Sequence, residues 1–272
     1  MLKTRLITSA ILIPSFFAAL FFTTDFVWAL LMLLISLVAL YEWSQMFKFK
    51  QSAALIYLVI SLGFCVLVLC ITRQFGSHWL VYRSLDVFIV ACVFWVLAVP
   101  VLLYKNKAIR QPILQAIIGW ILILPLWLAL ICLKIADPWL LLGLAATVWI
   151  ADSAAYFVGK LLGKHKLAPS ISPGKTWEGV MGGLLVVTLY GLILVTYFKL
   201  PMLATLIILW SMTILSVMGD LFESMMKRQA NIKDSGKLLP GHGGILDRVD
   251  GLTSSLPTAV LMIFIYSLFK ST

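Results

Sequence analysis

Long apolar runs alternate with short polar connections along the whole chain. Nine runs approach the roughly 20 residues that a helix needs to cross the hydrocarbon core of a bilayer. They cover residues 5–23, 26–46, 53–72, 85–104, 111–133, 139–158, 180–198, 202–222 and 251–269. A soluble helix needs only one apolar stripe, whereas these runs are apolar throughout. The pattern predicts an all-α, polytopic integral membrane protein with about nine transmembrane helices.

Composition agrees with this fold class. Of the 272 residues, 62% are hydrophobic and 12% are charged, whereas soluble domains carry about 25% charged residues. Lys3 and Arg5 precede the first run as in a signal sequence, but no cleavage-site pattern follows, so we expect a retained helix. The cysteines all lie in apolar runs without C-x-x-C spacing, which is typical of buried thiols rather than disulfides or metal ligands: Cys65, Cys70, Cys92 and Cys132.

The distribution of positive charge predicts an orientation. With the N-terminus on the cytoplasmic side and nine crossings, 16 of the 21 Lys and Arg residues fall on the inner side. Such an excess follows the positive-inside rule. We therefore expect a cytoplasmic N-terminus and a C-terminus outside. The formal charge of +10 does not indicate nucleic-acid binding, because no soluble basic domain is present to carry it.

Acidic residues accumulate on the same inner side. An acid near a helix centre costs about 2.5–3.5 kcal/mol, so their accumulation beside the membrane needs a reason. Both long connections, 159–179 and 223–250, also lie on this side. We expect residues 1–140 to form a scaffold of about five spans, with oligomer contacts, and residues 141–272 to form a catalytic membrane domain. The inner acids are Glu42, Asp152, Glu178, Asp220, Glu223, Asp234, Asp247 and Asp250.

One helix face carries an acid–hydroxyl–cation array where the eighth run leaves the bilayer. Its residues follow the spacing i, i+3, i+4, i+7 and i+8, which places them on one side of a helix: Asp220, Glu223, Ser224, Lys227 and Arg228. Taken alone, the array also fits a solvated, salt-bridged helix end among lipid head groups. The residues that follow favour a functional site.

A glycine-rich loop and two aspartates come next. Gly241, Gly243 and Gly244 permit unusual backbone dihedrals and close approach to a ligand, and their N–H groups can form an anion-binding nest. His242 is a candidate hydrogen-bond donor to a phosphate. Asp247 and Asp250 are spaced i, i+3 at the start of the last span, where paired carboxylates suit Mg²⁺. A helix N-terminus also favours acids, which explains one aspartate but not the whole set.

Two further polar elements precede this region. Asp152 stands inside an apolar run, and such a residue predicts a functional site or a structural ion pair. Gly174-Lys175-Thr176 invites a P-loop interpretation, but Pro169 occupies the position of the first glycine and no preceding strand is expected, so we reject it. Lys175 and Thr176 still suit phosphate binding.

These residues resemble a known family. The stretch from Ser224 to Asp250 is similar to the signature of the phosphatidate cytidylyltransferase (CDP-diacylglycerol synthase) family. Its matching positions are Ser224, Met226, Lys227, Arg228, Lys233, Asp234, Gly236, Leu239, Pro240, His242, Gly243, Gly244, Ile245, Asp247, Arg248, Val249 and Asp250. Residues 172–179 resemble the family's second conserved stretch, with Gly174 where Lys is also common. The first 140 residues are similar only as a series of apolar spans.

The resemblance implies a reaction and a cofactor. CTP and phosphatidate would yield CDP-diacylglycerol and pyrophosphate with Mg²⁺, and a second cation is left open. Asp220 and Asp247 would be the main metal ligands, supported by Asp250 and Asp152. Lys227, Arg248 and Ser224 complete the expected catalytic set. Phosphate-binding residues would be Lys175, Thr176, Arg228, Lys233, His242, Gly243 and Gly244.

The resemblance also implies a location and partners, while nine spans with intramembrane acids leave an alternative. We expect an enzyme of the plasma (inner) membrane that acts on membrane lipid from the cytoplasmic face, with a homodimer as a family-level expectation. A secondary transporter is the main alternative, although carriers place ionisable groups near the midplane and often contain repeats. A CDP-alcohol phosphotransferase is disfavoured because its D-G-x2-A-R-x8-G-x3-D-x3-D pattern is absent.

Overall fold

The computed structural model describes residues 2–238, 240–241 and 243–271, and within them the chain is almost entirely helical. The helices are α1 (Leu2–Phe22), α2 (Asp25–Met46), α3 (Gln51–Phe75), α4 (Ser77–Val93), α5 (Val99–Lys105), α6 (Pro112–Ala136), α7 (Pro138–Leu162), α8 (Trp177–Phe198), α9 (Met202–Gln229) and α10 (Leu246–Ser271). A single π-helical turn, Phe94–Ala98, joins α4 to α5. Pro100 follows this turn and lacks the N–H of a regular helix, which accounts for the interruption.

Every predicted span falls on a helix. Within the described residues, eight helices are long and apolar enough to cross a membrane, and Ile7–Phe22 forms a shorter apolar helix. The fourth predicted span corresponds to α4, the π turn and α5 together. The prediction of a helical, polytopic membrane protein is therefore confirmed, while the number of crossings and their direction stay predictions.

The all-α expectation requires one correction. The connection predicted as a loop over residues 159–179 contains an antiparallel hairpin of β1 (Lys166–Ala168) and β2 (Ser172–Thr176). A short strand thus precedes the Gly-Lys-Thr triplet, contrary to expectation, but the triplet lies within the second strand and not in a strand-to-helix loop. No pattern in the sequence indicated the hairpin, because its strands are too short to show alternation.

The second long connection is shorter than predicted. Helix α9 continues to Gln229 and α10 begins at Leu246, so the loop covers residues 230–245 rather than 223–250. The acid–hydroxyl–cation array predicted for this region is helical, and Asp247 lies in the first turn of α10. Both polar stretches are therefore held on rigid elements.

Both parts of the chain contribute to the core. Phe222 of α9 packs against Phe94 and Trp95 of the π turn, with ring centroids 5.7 Å apart in each pair. Trp28 and Trp127, both fully buried, belong to a cluster that also contains residues of α10. The helices of the first 140 residues thus support α9 and α10, and the functional division between the two parts stays a prediction.

Candidate active site

A lysine between two carboxylates forms the centre of the site. Lys227 Nζ lies 2.8 Å from Glu223 Oε2, one helical turn away on α9, and 2.6 Å from Asp247 Oδ1 on α10. The three side chains are 12%, 2% and 6% exposed, respectively. Charges this poorly solvated are stable only when they are paired. Lys227 therefore joins α9 to α10 and shares its single positive charge between two acids.

The second oxygen of Asp247 is held by three donors. Oδ2 accepts hydrogen bonds from the backbone N–H of Ser235 (2.9 Å), the Ser235 hydroxyl (3.0 Å) and the backbone N–H of Gly244 (2.8 Å). Gly243 adopts φ +80°, and a Cβ there would lie 2.6 Å from Asp247 Oδ2. The glycine loop does approach an anion closely, as its composition predicted, but the anion in this structure is the protein's own carboxylate.

A second ion pair lies between the hairpin and α9. Lys175 Nζ, on β2, is 2.6 Å from Asp220 Oδ2, and the Ser224 hydroxyl donates to Asp220 Oδ1 at 3.3 Å. Asp152 of α7 is close enough for its charge to interact with both Lys175 and Asp220. Residues of α7, α9 and the hairpin that are far apart in sequence thus meet at one place. Asp152 was predicted to mark either a functional site or a structural ion pair, and this arrangement favours a position within the candidate site.

Asp250 connects the two ion-pair groups. Its carboxylate interacts electrostatically with both Asp220 and Glu223. Helices α9 and α10 are close here, since a Cβ on Gly219 would lie 2.5 Å from the Asp250 carbonyl oxygen. Glu223 is almost fully buried, and its Oε1 has no hydrogen-bond partner among the residues that the structure describes. An unpaired buried carboxylate oxygen beside a second acid is a position where a cation would be stabilised.

The donor set fits a divalent cation. Asp152, Asp220, Glu223, Asp247 and Asp250 place five carboxylates in this region against the two lysines that pair with them. Within the described part of the chain, no three Asp, Glu, His or Cys side chains already stand in the geometry of a metal site. Mg²⁺ commonly takes one or two protein carboxylates and completes its shell with water and substrate phosphate, so a preformed cage is not required.

Several predicted phosphate-binding residues stand apart from these ion pairs. Arg228, Lys233 and Arg248 are exposed on the surface of the same region. Thr176 is 4% exposed, and its hydroxyl accepts the Gly179 N–H as the N-cap of α8. The hydroxyl proton stays free to donate to a phosphate while the oxygen accepts this bond, so the burial of Thr176, and not its capping bond, limits such a contact. His242 lies outside the described residues.

Sequence reasoning missed the role of Glu42. This residue of α2 was counted only among the inner acids, yet its carboxylate accepts the backbone N–H of Ile245 at 3.1 Å and of Leu246 at 2.9 Å. The two N–H groups belong to the start of α10, beside Asp247. The available signal was a lone acid at the end of an apolar run, which marks a functional position by default.

Comparison with known proteins agrees with the signature residues. Residues 3–266 match the model of the cytidylyltransferase family. The chain is similar to the phosphatidate cytidylyltransferase of Haemophilus influenzae, with 34% identity over 284 residues, covering 94% of this chain and 96% of that protein. It is also similar to the protein of that name from Pseudomonas aeruginosa, with 33% identity over 275 residues and 97% of each chain covered. The phosphatidate cytidylyltransferase of Bacillus subtilis is 44% identical over 122 residues, covering 44% of this chain and 45% of that protein.

These relatives are named for nucleotidyl transfer and not for transport, so the transporter alternative is not supported. Acids and lysines of α9, α10 and the hairpin meet at one end of the helices, in a protein built of apolar helices able to span a membrane. The family match extends over nearly the whole length of this helical structure, and the chain belongs to the cytidylyltransferase family.

Proposed function

We propose that this protein transfers the cytidylyl group of CTP to phosphatidate, forming CDP-diacylglycerol and releasing pyrophosphate. The observation that carries the proposal is the meeting of carboxylates and lysines from α9, α10 and the hairpin in two adjoining groups of ion pairs. The relatives named phosphatidate cytidylyltransferase supply the substrate class.

The reaction needs alignment and charge neutralisation more than a strong base. A phosphate oxygen of phosphatidate is already a nucleophile and forms a bond to the α-phosphorus of CTP. The bond from that phosphorus to the bridging oxygen breaks, and pyrophosphate leaves with the electron pair. Phosphoryl-type transfers of this kind depend chiefly on positioning and electrostatic stabilisation. The side chains gathered here are suited to both.

Two kinds of cation would hold the phosphates. Lys175 and Lys227 are anchored by carboxylates in the structure, which keeps their ammonium groups in place for a polyanion. Arg228, Lys233 and Arg248 are exposed and would contact the triphosphate and the lipid phosphate, Arg through paired N–H groups. Gly243 would lie along the loop facing the substrates, and His242 stays a predicted hydrogen-bond donor to a phosphate. Ser224 would bind a phosphate or a metal-bound water.

Mg²⁺ would be held chiefly by Asp220 and Asp250, with Asp152 and Glu223 near them. Asp247 joins as a ligand only if it exchanges its contact with Lys227. When bound, the ion would neutralise phosphate charge and polarise the α-phosphorus. The excess of carboxylates over lysines and the unpaired oxygen of Glu223 support this assignment.

The same proposal gives the protein a place in the cell. We infer a plasma (inner) membrane location with the site on the cytoplasmic face, where CTP is available, from the excess of Lys and Arg on one side of the predicted spans. Phosphatidate would reach the site from the surrounding membrane lipid. Association into a homodimer is proposed from the family resemblance alone.

A nucleotide panel tests the proposed function. Purified protein is incubated with phosphatidate, Mg²⁺ and each nucleoside triphosphate in turn, and pyrophosphate release is measured. We expect release with CTP or dCTP, dependent on phosphatidate and abolished by chelation of the metal. Equal release with all four nucleotides, or none with CTP, would contradict the proposal. Vesicle uptake of a solute without CTP consumption would point to a carrier instead.

A further inference from the structure

We propose that Glu42 of α2 is a positioning residue for the reaction, acting through the backbone at the start of α10 on Asp247. The inference rests on the proposed function and adds a role for the first 140 residues. Glu42 is 5% exposed and lies far from the signature stretch in sequence. No substrate contact is required of it.

Three consecutive backbone N–H groups donate hydrogen bonds to two different carboxylates. Gly244 N–H donates to Asp247, whereas the next two, of Ile245 and Leu246, donate to Glu42. The Ser235 hydroxyl lies 3.0 Å from Asp247 Oδ2 and 3.3 Å from Glu42 Oε2, so it lies between both acids. A shift of residues 245 and 246 would therefore move the N–H that orients Asp247.

The loop is shaped to admit Glu42. A Cβ on Gly236 would collide with Glu42 Oε1, and a Cβ on Gly244 would collide with Ser235 Oγ and with Glu42 Oε2. Both glycines belong to the signature stretch and both contact the acid of α2. A carboxylate at a helix N-terminus is also stabilised by the N–H groups and the helix dipole. Glu42 thus caps α10 from a distant part of the chain.

The position of Glu42 is set independently of the loop. Its neighbour Trp43 is fully buried and donates from Nε1 to the Gln115 carbonyl oxygen of α6 at 2.8 Å. The Gln115 side chain in turn donates to the Ile109 carbonyl oxygen, and the Ile109 N–H donates to Gln229 at the end of α9. Helices α2 and α6 therefore form a fixed support against which the loop of residues 230–245 is held.

Substitution of Glu42 tests whether this residue positions Asp247 or only stabilises the fold. We expect Glu42→Ala to lower kcat by about 10–100-fold, as is typical when a residue that orients a ligand is removed. The Mg²⁺ concentration for half-maximal activity should rise, while KM for phosphatidate changes by less than about twofold, because Glu42 touches no substrate. Glu42→Gln should lose less, because its amide oxygen can still accept one of the two N–H groups.

Asp25→Asn is the matched control. Asp25 pairs with Lys134, whose side chain is 3% exposed, at the opposite end of the helices, so the variant also weakens a partly buried acid contact. Its kcat per folded protein should equal that of the wild type. If both Glu42 variants keep kcat and Mg²⁺ dependence within twofold of wild type, or lose activity only in proportion to the unfolded fraction, the positioning role is refuted.

Hydrogen exchange gives a readout that does not depend on turnover. In Glu42→Ala, amides of residues 244–248 should exchange faster, while those of the middle of α10 stay protected. Unchanged exchange at residues 244–248 would overturn the inference. A wild-type protein that releases no pyrophosphate with CTP would refute the proposed function instead, and the exchange measurement would still decide the role of Glu42.

Discussion

Replacing Asp220 by asparagine is expected to reduce CTP-dependent pyrophosphate release by about 100-fold or more. A metal-held phosphate site lowers the activation barrier by several kcal/mol, and a change of about 2.7 kcal/mol in the barrier corresponds to 100-fold in rate. The Asp220 side chain is 37% exposed, so the loss should come from the chemistry and not from unfolding. Activity per milligram of purified, folded protein at saturating CTP provides the measurement.

Asp137→Asn is the matched control for this prediction. Asp137 caps the N-terminus of α7 through a 2.9 Å hydrogen bond from the Trp139 N–H, at the far end of the helix that carries Asp152. Asparagine is an equally good N-cap, so activity should stay at the wild-type level. Near-normal turnover in Asp220→Asn, or an equal loss in both variants, would contradict the assignment of Asp220.

Replacing Lys227 by methionine is expected to remove both activity and stability. The substitution leaves Glu223 and Asp247 without their shared cation, although both side chains are almost completely buried. Removing one partner of a buried ion pair typically costs about 3–5 kcal/mol. Thermal unfolding of the purified protein should shift to a clearly lower temperature, and pyrophosphate release should become undetectable.

A second substitution distinguishes these two losses. Glu223→Gln in the Lys227→Met background removes one of the two carboxylates that have lost their cation. It should restore part of the stability without restoring activity. Lys134→Met removes a buried lysine from the opposite end of the helices and should leave kcat unchanged. Wild-type turnover in Lys227→Met, or recovery of turnover in the double variant, would exclude the proposed phosphate-binding role of Lys227.

The helices could be predicted because a bilayer requires them to be continuous apolar runs. Every run in the sequence corresponds to a helix of the structure, including α4 and α5, which form one run despite the π turn. The site residues could also be predicted, because Asp220 to Arg228 share a helical spacing and residues 224–250 carry a specific signature. Local spacing and a motif sufficed to select the region.

Partners within the site could not be predicted. The sequence placed eight acids and several cations on the predicted inner side, without indicating that Lys227 pairs with both Glu223 and Asp247 or that Lys175 pairs with Asp220. The contact of Glu42 with α10 bridges about 200 residues and depends on how α2 packs against α6. Such choices are made by tertiary packing, which leaves no periodicity in the chain.

The glycine loop illustrates the same limit. Its composition predicted backbone N–H groups aimed at an anion, and the structure has them, at residues 244, 245 and 246. The anions that they bind are Asp247 and Glu42 rather than a phosphate. A loop that orients two carboxylates serves the site by fixing a potential metal ligand, and sequence alone does not distinguish this role from direct phosphate binding.

Labelling of the loop between α9 and α10 decides whether the site faces the compartment that contains CTP. Lys237 is exposed in this loop, so Lys237→Cys can be treated with a membrane-impermeant maleimide in intact cells and in inverted membrane vesicles. The native cysteines lie within helices able to span the membrane and serve as the background in the unsubstituted protein. We expect labelling in inverted vesicles alone. Labelling of intact cells would place the carboxylates and lysines on the wrong side of the membrane and contradict the proposed reaction.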